Sequence, residues 1–566
     1  MSKIAVRYCK IKGLNLETLE KESIRSTDEN YSPFSIRNIQ CYNPLYSQFF
    51  KMNEMNYDSI ALNHKYHIVN LDTVREEESQ EELKRPVFVK FSPLLDPIRY
   101  MIGKYKDTHI SLPTIQSVEM EDKINNPQNA SYTDNFFYYL SSQALHNHGI
   151  KNAIDYYGSF LGFQEKYRID IVEDMEYLNS SRYYTENKGK LFTVNDCDYN
   201  PFANFGSRGN KHKLQFVDDE SDTPIDIGVE DLTIPSLIDL EILPIEQVVE
   251  EVYEHTSSHS SSISTNDSEL NYTDDEEEEE EKEEEEEEEE TWEDEEDASS
   301  GDESSEETEP VVYAYINDYP VQMICLEKCD GTLDELLEND LVDEKEASAI
   351  LMQVVMTLLS YQILFDFTHN DLHTNNIMFV KTDIEFLYYK YSGVIYKVPT
   401  YGKIFKIIDY GRAIYSFQGK RFCSDSFQPG GDGFSQYNCE PFYNPKKTRV
   451  DPNMAFDLCR LGCSIYDFLF DDDEDLTQID EFQKTVLRWC LDDKGKNVLY
   501  KKTGEERYPG FKLYKMIART VHAHTPEAQL AYPFFNQYAT NDLENNTVSD
   551  IIDLNLLPKY HIGDTL

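Results

Sequence analysis

The chain is short of basic residues and of long apolar runs. Lys and Arg total 52 against 107 Asp and Glu, a formal net charge of −55 over 566 residues. Such a deficit argues against nucleic acid as a general electrostatic partner, because phosphate backbones are held by clustered cations. No stretch reaches the ~18 uninterrupted apolar residues of a membrane span, so no membrane partner is expected. The nearest, Ala347–Phe367, is broken by Gln353, Ser360, Gln362 and Asp366. The start of the chain, Met1-Ser-Lys-Ile-Ala-Val-Arg7, lacks the continuous apolar core of a secretory signal. Ten cysteines are scattered without a C-x-x-C pair. Cys325/Cys329 and Cys459/Cys463 have no matching histidines nearby, which argues against a cysteine-held metal and suits reduced, buried thiols in a cytoplasmic setting. The first 80 residues hold alternating runs such as Ser59–Val69 that suggest strands, but no G-x-G-x-x-G.

Core material is ample: 40% of residues are hydrophobic, with 40 Tyr and 30 Phe. The length leaves room for several domains. The negative charge is concentrated. Between Asp274 and Glu309 stand 26 acidic residues and one lysine, Lys282, a local net of −25 that leaves −30 for the rest. Residues 223–310 are rich in acid, Ser and Thr; they repel one another and offer little apolar surface, so a disordered insertion is expected there. Its bland role is a solvating spacer, and its functional one is docking of basic proteins. Ser299, Ser300, Ser304 and Ser305 sit among acids and offer sites to an acid-directed kinase.

Two short blocks carry the chemistry. The first, Phe367–Val380, contains His369-Asn-Asp371-Leu-His373-Thr-Asn-Asn376. It follows a helical pattern over Glu344–Phe367, whose Ala347, Ile350, Leu351, Val354, Val355 and Leu358 share a face. The second, Phe405–Arg412, contains Asp409-Tyr-Gly411. Phosphoryl transfer needs positioning and charge neutralisation more than covalent help. Asp371 suits the place beside an acceptor hydroxyl. Asn376 and Asp409 offer the oxygen ligands that Mg2+ prefers. Gly411 permits a backbone turn that other residues resist.

These blocks resemble the H-R-D-L-x-x-x-N and D-F-G loops of the protein-kinase-like fold. The resemblance implies an α+β, bilobal architecture. Residues 1–222 would supply an N-terminal extension and most of a small β-rich lobe, and 311–330 its last strands and the hinge. Residues 331–566 would form a mainly helical large lobe. Val87-Phe-Val-Lys90 is similar to the V-A-I-K strand, which makes Lys90 the nucleotide lysine. Glu327 to Cys329 fall at the hinge, where backbone groups meet adenine. Asp457, in Asp457-Leu-Cys-Arg-Leu-Gly462, would accept backbone hydrogens from the first loop. Arg412–Val450 stands in the activation-loop position, and Glu385–Tyr391 with Val394–Val398 reads as a hairpin turning at Ser392-Gly393. The helix over Thr133–His148 falls where the family's helix C supplies a glutamate to the strand lysine. It has none; Gln143 alone has similar length, and Glu119 and Glu121 lie upstream.

His373, where ordinary serine/threonine kinases carry lysine, is similar to haspin-type and aminoglycoside-phosphotransferase-type loops. The resemblance implies that it contacts the transferred phosphate. Taken with Val89–Pro97, Phe136–Gln143 and Asp155–Leu161, the loop resembles the protein kinases of large DNA viruses over residues 85–165 and 311–470. That implies a serine/threonine kinase using ATP and Mg2+ on protein substrates, in host-cell cytoplasm or a virus particle. Two other readings stand beside it. The missing glycine loop and helix-C glutamate suit a pseudokinase scaffold working through the acidic insertion, and Asp-Leu-His suits a small-molecule phosphotransferase.

Overall fold

The computed structural model describes residues 4–10, 31–115, 122–172, 174–195, 312–339, 341–470, 479–541 and 550–562. The acidic block, its serines, Glu119 and Glu121 lie outside them. Of the described residues, only 445–448 fall outside the compact unit that holds everything below. The fold is mixed α+β, β-rich towards the N-terminus.

A five-stranded antiparallel sheet dominates the first part. Its strands are β1 (Ile36–Gln40), β2 (Val87–Pro93), β3 (Tyr156–Asp170), β4 (Phe192–Val194) and β5 (Tyr313–Glu327). β3 lies between β1 and β5; the first part of β5 pairs with β4 and its second part with β2. In β2 the alternation of strand side chains sends Val87 and Val89 into a core with Val74, Tyr157, Met323 and Cys325. Phe88 and Lys90 therefore share the other face, and Phe88 is half exposed.

Residues 155–172 and 311–327 each have a polar middle that reads in sequence as a break between two strands, yet each forms one continuous 15-residue strand. The polar residues that read as turns face one another across the ladder, with Lys166 opposite Asn317 and Gln164 opposite Tyr319. The turn-like Asn317-Asp318 survives only as a left-handed kink at Asp318, φ 51°. Cross-strand pairing supplies the hydrogen bonds that a local turn would have supplied.

Helix α1 (Ala130–His148) crosses beneath this sheet. Asn129 caps its first turn and ties it to the end of β2 by donating to the Leu94 carbonyl at 2.9 Å. Asp425 accepts from the Ala130 amide at 3.0 Å and pairs with Lys123 at 2.6 Å. The second part opens with α2 (Leu333–Glu338), started by a Thr332/Glu335 capping box, and α3 (Glu344–Phe365). By length and composition α3 is apolar enough to cross a membrane, but 89% of that apolar window is buried in the fold, as in a core helix. Then come β6 (Ile377–Lys381), β7 (Phe386–Tyr391), β8 (Val394–Pro399) and β9 (Lys403–Ile407). β7 and β8 form the expected hairpin, with Ser392 and Gly393 both at positive φ in the tight turn. α4 (Phe456–Leu469), α5 (Glu481–Trp489) and α6 (Phe511–Thr520) complete the core of this part.

Candidate functional site

α3 ends where Asp366 turns left-handed, φ 51°, and the chain passes into the first acidic loop. Asp457 on α4 clasps that loop, accepting from the His369 amide at 2.8 Å and the Asn370 amide at 2.9 Å. Asn370 is left-handed too, φ 65°, a conformation asparagine tolerates better than most residues. Tyr437 donates to its side-chain oxygen at 2.7 Å. Burial pushes the Asp457 carboxyl up to about 7, against the two amide donors and with help from the charge on Asp371.

The two acidic loops are joined directly. His369 hydrogen-bonds through Nε2 to the Ile408 carbonyl at 2.8 Å, and the Ile408 amide donates to the Asn376 carbonyl at 3.0 Å. Asn376 donates from Nδ2 to the Asp371 carbonyl at 2.9 Å, which fixes the orientation of its amide. The same Nδ2 stands 3.0 Å from Nε2 of His373. Nε2 is thus the acceptor, and the neutral ring keeps its proton on Nδ1. Burial lowers the His373 pKa, with Asp371 opposing and Arg460 assisting. The imidazole is therefore a neutral donor rather than a cation standing in for lysine.

Lys90 meets the second loop. Its Nζ lies 2.9 Å from Oδ1 of Asp409 and 2.8 Å from Oδ2 of Asp134, which is buried in the first turns of α1. No glutamate stands on this helix, but a shorter carboxylate makes the ion pair. The other oxygen of Asp134 accepts from the Tyr410 amide, and the Asp409 amide donates to the Tyr138 hydroxyl, both at 2.8 Å. One helix turn, Asp134 to Tyr138, thus holds the strand lysine and the second loop in one arrangement. Burial disfavours the charge on Lys90, but Asp134 and Asp409 outweigh it and raise its pKa well above the usual lysine value. Burial raises Asp134 to about 6 even with Lys90 beside it. For Asp409 burial also works upward, yet Lys90 wins and holds it below the ordinary carboxylate range.

Tyr410 fills a buried space among Phe137, Tyr138 and Phe367, with ring centroids 4.5, 4.8 and 5.9 Å away, and its hydroxyl donates to the Ile407 carbonyl at 2.6 Å. A tyrosine is tolerated because its polar end has that partner. The left-handed residue of the loop is Asp409, φ 64°, and not Gly411 as the sequence suggested. A Cβ at Gly411 would meet only Oδ1 of Asp409, at an ordinary 3.4 Å.

Glu327, expected at the adenine edge, spends its carboxylate on Lys406 at 2.8 Å and on the Asp155 amide at 3.1 Å. Its own amide donates to the Asp155 carbonyl at 3.0 Å. Cys329 is half buried, its thiol pushed up to about 12 by burial and then by Glu327, and its backbone makes no hydrogen bond to a described residue. Among the described residues no group of three or more His, Cys, Asp or Glu is placed to hold a metal ion. A magnesium ion, if bound here, would be held by the carboxamide oxygen of Asn376 and the second carboxylate oxygen of Asp409, neither of which is engaged by a described residue. Two hard oxygens that leave room for phosphate and water fit that ion.

Two further groups escaped sequence reasoning. The Tyr514 hydroxyl on α6 donates to Oδ1 of Asp371 at 2.7 Å, and Arg460 on α4 donates from Nε to the Tyr514 oxygen at 3.1 Å. Tyr514 stands in no motif, and Arg460 occupies an unspecified position inside the Asp457–Gly462 pattern. For Asp134, the available signal was an acid within the first turns of the predicted helix.

No family model matches the chain. A stretch of 88 residues, 15% of the chain, is 34% identical to the serine/threonine-protein kinase haspin of Mus musculus, of which it covers 12%. The likeness is partial, and it is to a protein kinase.

Proposed function

We propose that this chain is a kinase-like phosphotransferase that moves the γ-phosphate of ATP to serine or threonine hydroxyls of protein substrates. The observation that carries the reading is Lys90, held between a helix carboxylate and Asp409, next to a loop that presents Asp371 and Asn376 and is clasped by Asp457. An ammonium fixed by two carboxylates on a rigid strand is suited to the α- and β-phosphates. Phe88, on the Lys90 face of β2 and half exposed, offers its ring to the base, and the Cys329 backbone keeps its hydrogen-bonding groups for the adenine edge. Magnesium on Asn376 and Asp409 would neutralise charge on the phosphates. Asp371 receives the hydrogen bond of the acceptor hydroxyl and aligns its oxygen with the γ-phosphorus. His373 keeps its Nδ1 hydrogen for a phosphate oxygen.

A panel of protein and small hydroxyl acceptors, incubated with labelled Mg-ATP, tests the proposal. Label on protein serine or threonine is expected. Label confined to small molecules would reject the protein acceptor, and nucleotide binding without transfer to any acceptor would reject catalysis. Phe88→Ala is expected to raise the KM for ATP about 3- to 10-fold, the effect of a lost stacking contact, with kcat little changed.

A further inference from the structure

We propose that Tyr514, anchored by Arg460, is a positioning residue that orients the Asp371 carboxylate for the acceptor hydroxyl. This rests on the phosphotransferase reading above. A carboxylate on a loop has two equivalent oxygens and a soft terminal torsion. An oxygen that must meet an acceptor hydroxyl in line with phosphorus gains from having its twin pinned.

The hydrogen-bond chain has a fixed sense. Arg460 can only donate, so its Nε hydrogen points at the Tyr514 oxygen, and the phenolic hydrogen is directed to Oδ1 of Asp371, with heavy-atom distances of 3.1 and 2.7 Å. Oδ2 of Asp371 engages no described residue and is left for the acceptor. The phenol itself cannot wander. The guanidinium groups of Arg412 and Arg460 lie 5.1 and 5.3 Å from its ring centroid, and Phe511 and Phe456 pack at 5.7 and 6.0 Å. A ring clamped between two cations and two aromatics is built to hold one orientation, not to swing as a gate. Burial raises the phenol's pKa, with Arg460 opposing, so it stays a donor over the neutral range. The clamp also joins parts far apart in the chain, since Arg412 directly follows Asp409-Tyr-Gly411 and Tyr514 stands on α6.

The test is steady-state transfer by wild type, Tyr514→Phe, Asp371→Asn and the double variant, each with its ATP dissociation constant and melting temperature. Tyr514→Phe is expected to lower kcat about 10- to 100-fold, the range for a lost hydrogen bond to a charged group, with ATP binding unchanged. In the Asp371→Asn background the same change should cost nothing more, since there is no longer a carboxylate to orient. Arg460→Lys, which loosens only the far end of the chain, should fall between wild type and Tyr514→Phe. Should Tyr514→Phe fail to fold, Arg460→Lys carries the test by the same kcat and ATP-binding readout, and wild-type kcat there overturns the proposal. Unchanged or increased kcat in Tyr514→Phe overturns it, and so does an equal loss in both backgrounds. A wild type that transfers nothing overturns the parent reading instead, and this inference with it.

Discussion

Asp134 shows how a residue can satisfy a chemical requirement without matching a pattern. It is one methylene shorter than the glutamate the resemblance called for, yet it reaches Lys90 because α1 lies close under β2, where Ser92 donates to Ser131 at 2.9 Å. Asp134→Ala would leave Lys90 to Asp409 alone and the Tyr410 amide without an acceptor. The expected outcome is a loss of about 2–4 kcal/mol in stability by denaturant unfolding, with a fall in kcat/KM for ATP. Asp457 gives a pH prediction. Its pKa is raised in the fold to about 7, so its contribution to stability is fully present below the unfolded carboxylate value and is lost as pH rises through about 7. Unfolding curves of wild type and Asp457→Asn between pH 4 and 8 should therefore shift steadily in the variant's favour as pH rises; a constant difference would contradict the raised pKa. That Asp371, Asn376, Asp409 and Asp457 gather around two joined loops was legible in the sequence, because short spacings within a loop or helix place them. Asp134, Arg460 and Tyr514 were not, because their reach depends on how α1, α4 and α6 pack in space.

Element by element, apolar periodicity was informative even though α1 and α3 are buried on every side over most of their length, from Ser131 to Ala144 and from Ala347 to Tyr361, and not on one face as the spacing suggested. It placed α1, α3 and the β7–β8 hairpin within a few residues. It failed on β3 and β5, whose polar middles carry turn chemistry that the cross-strand ladder overrides. It was also silent on what starts α1, where a carboxylate nearly 300 residues later completes the first turn. Asp425 is fully buried against Lys123 and the Ala130 amide. Asp425→Ala should destabilise the protein by about 2–4 kcal/mol, since it leaves an amide and an ammonium without their acceptor. It should also lower transfer activity, because α1 carries the partner of Lys90. Thermal unfolding and kcat in the same preparation check both, and a variant as stable as wild type would remove this link between the post-Asp409 segment and the helix.

At the scale of the whole molecule, the acidic block is expected to be dispensable for the candidate site. The chain leaves the sheet after β4 and re-enters at β5 through paired ends: the Asn195 amide donates to the Tyr313 carbonyl at 3.0 Å, and Val194 faces Ala314. A short Gly/Ser turn can therefore replace residues 197–310 with little loop-closure cost. The shortened protein is expected to melt within a few degrees of the full chain and to keep its transfer activity; loss of both would mean that the acidic stretch supports the fold. We propose that Asp371 works on an acceptor hydroxyl beside a nucleotide held by Lys90, and transfer of γ-phosphate from Mg-ATP to protein, compared between wild type and Asp371→Asn, is the experiment that decides this. Wild type is expected to label serine or threonine, and the variant to transfer at least about 100-fold less with ATP binding retained; equal turnover by the two proteins would contradict the role of Asp371.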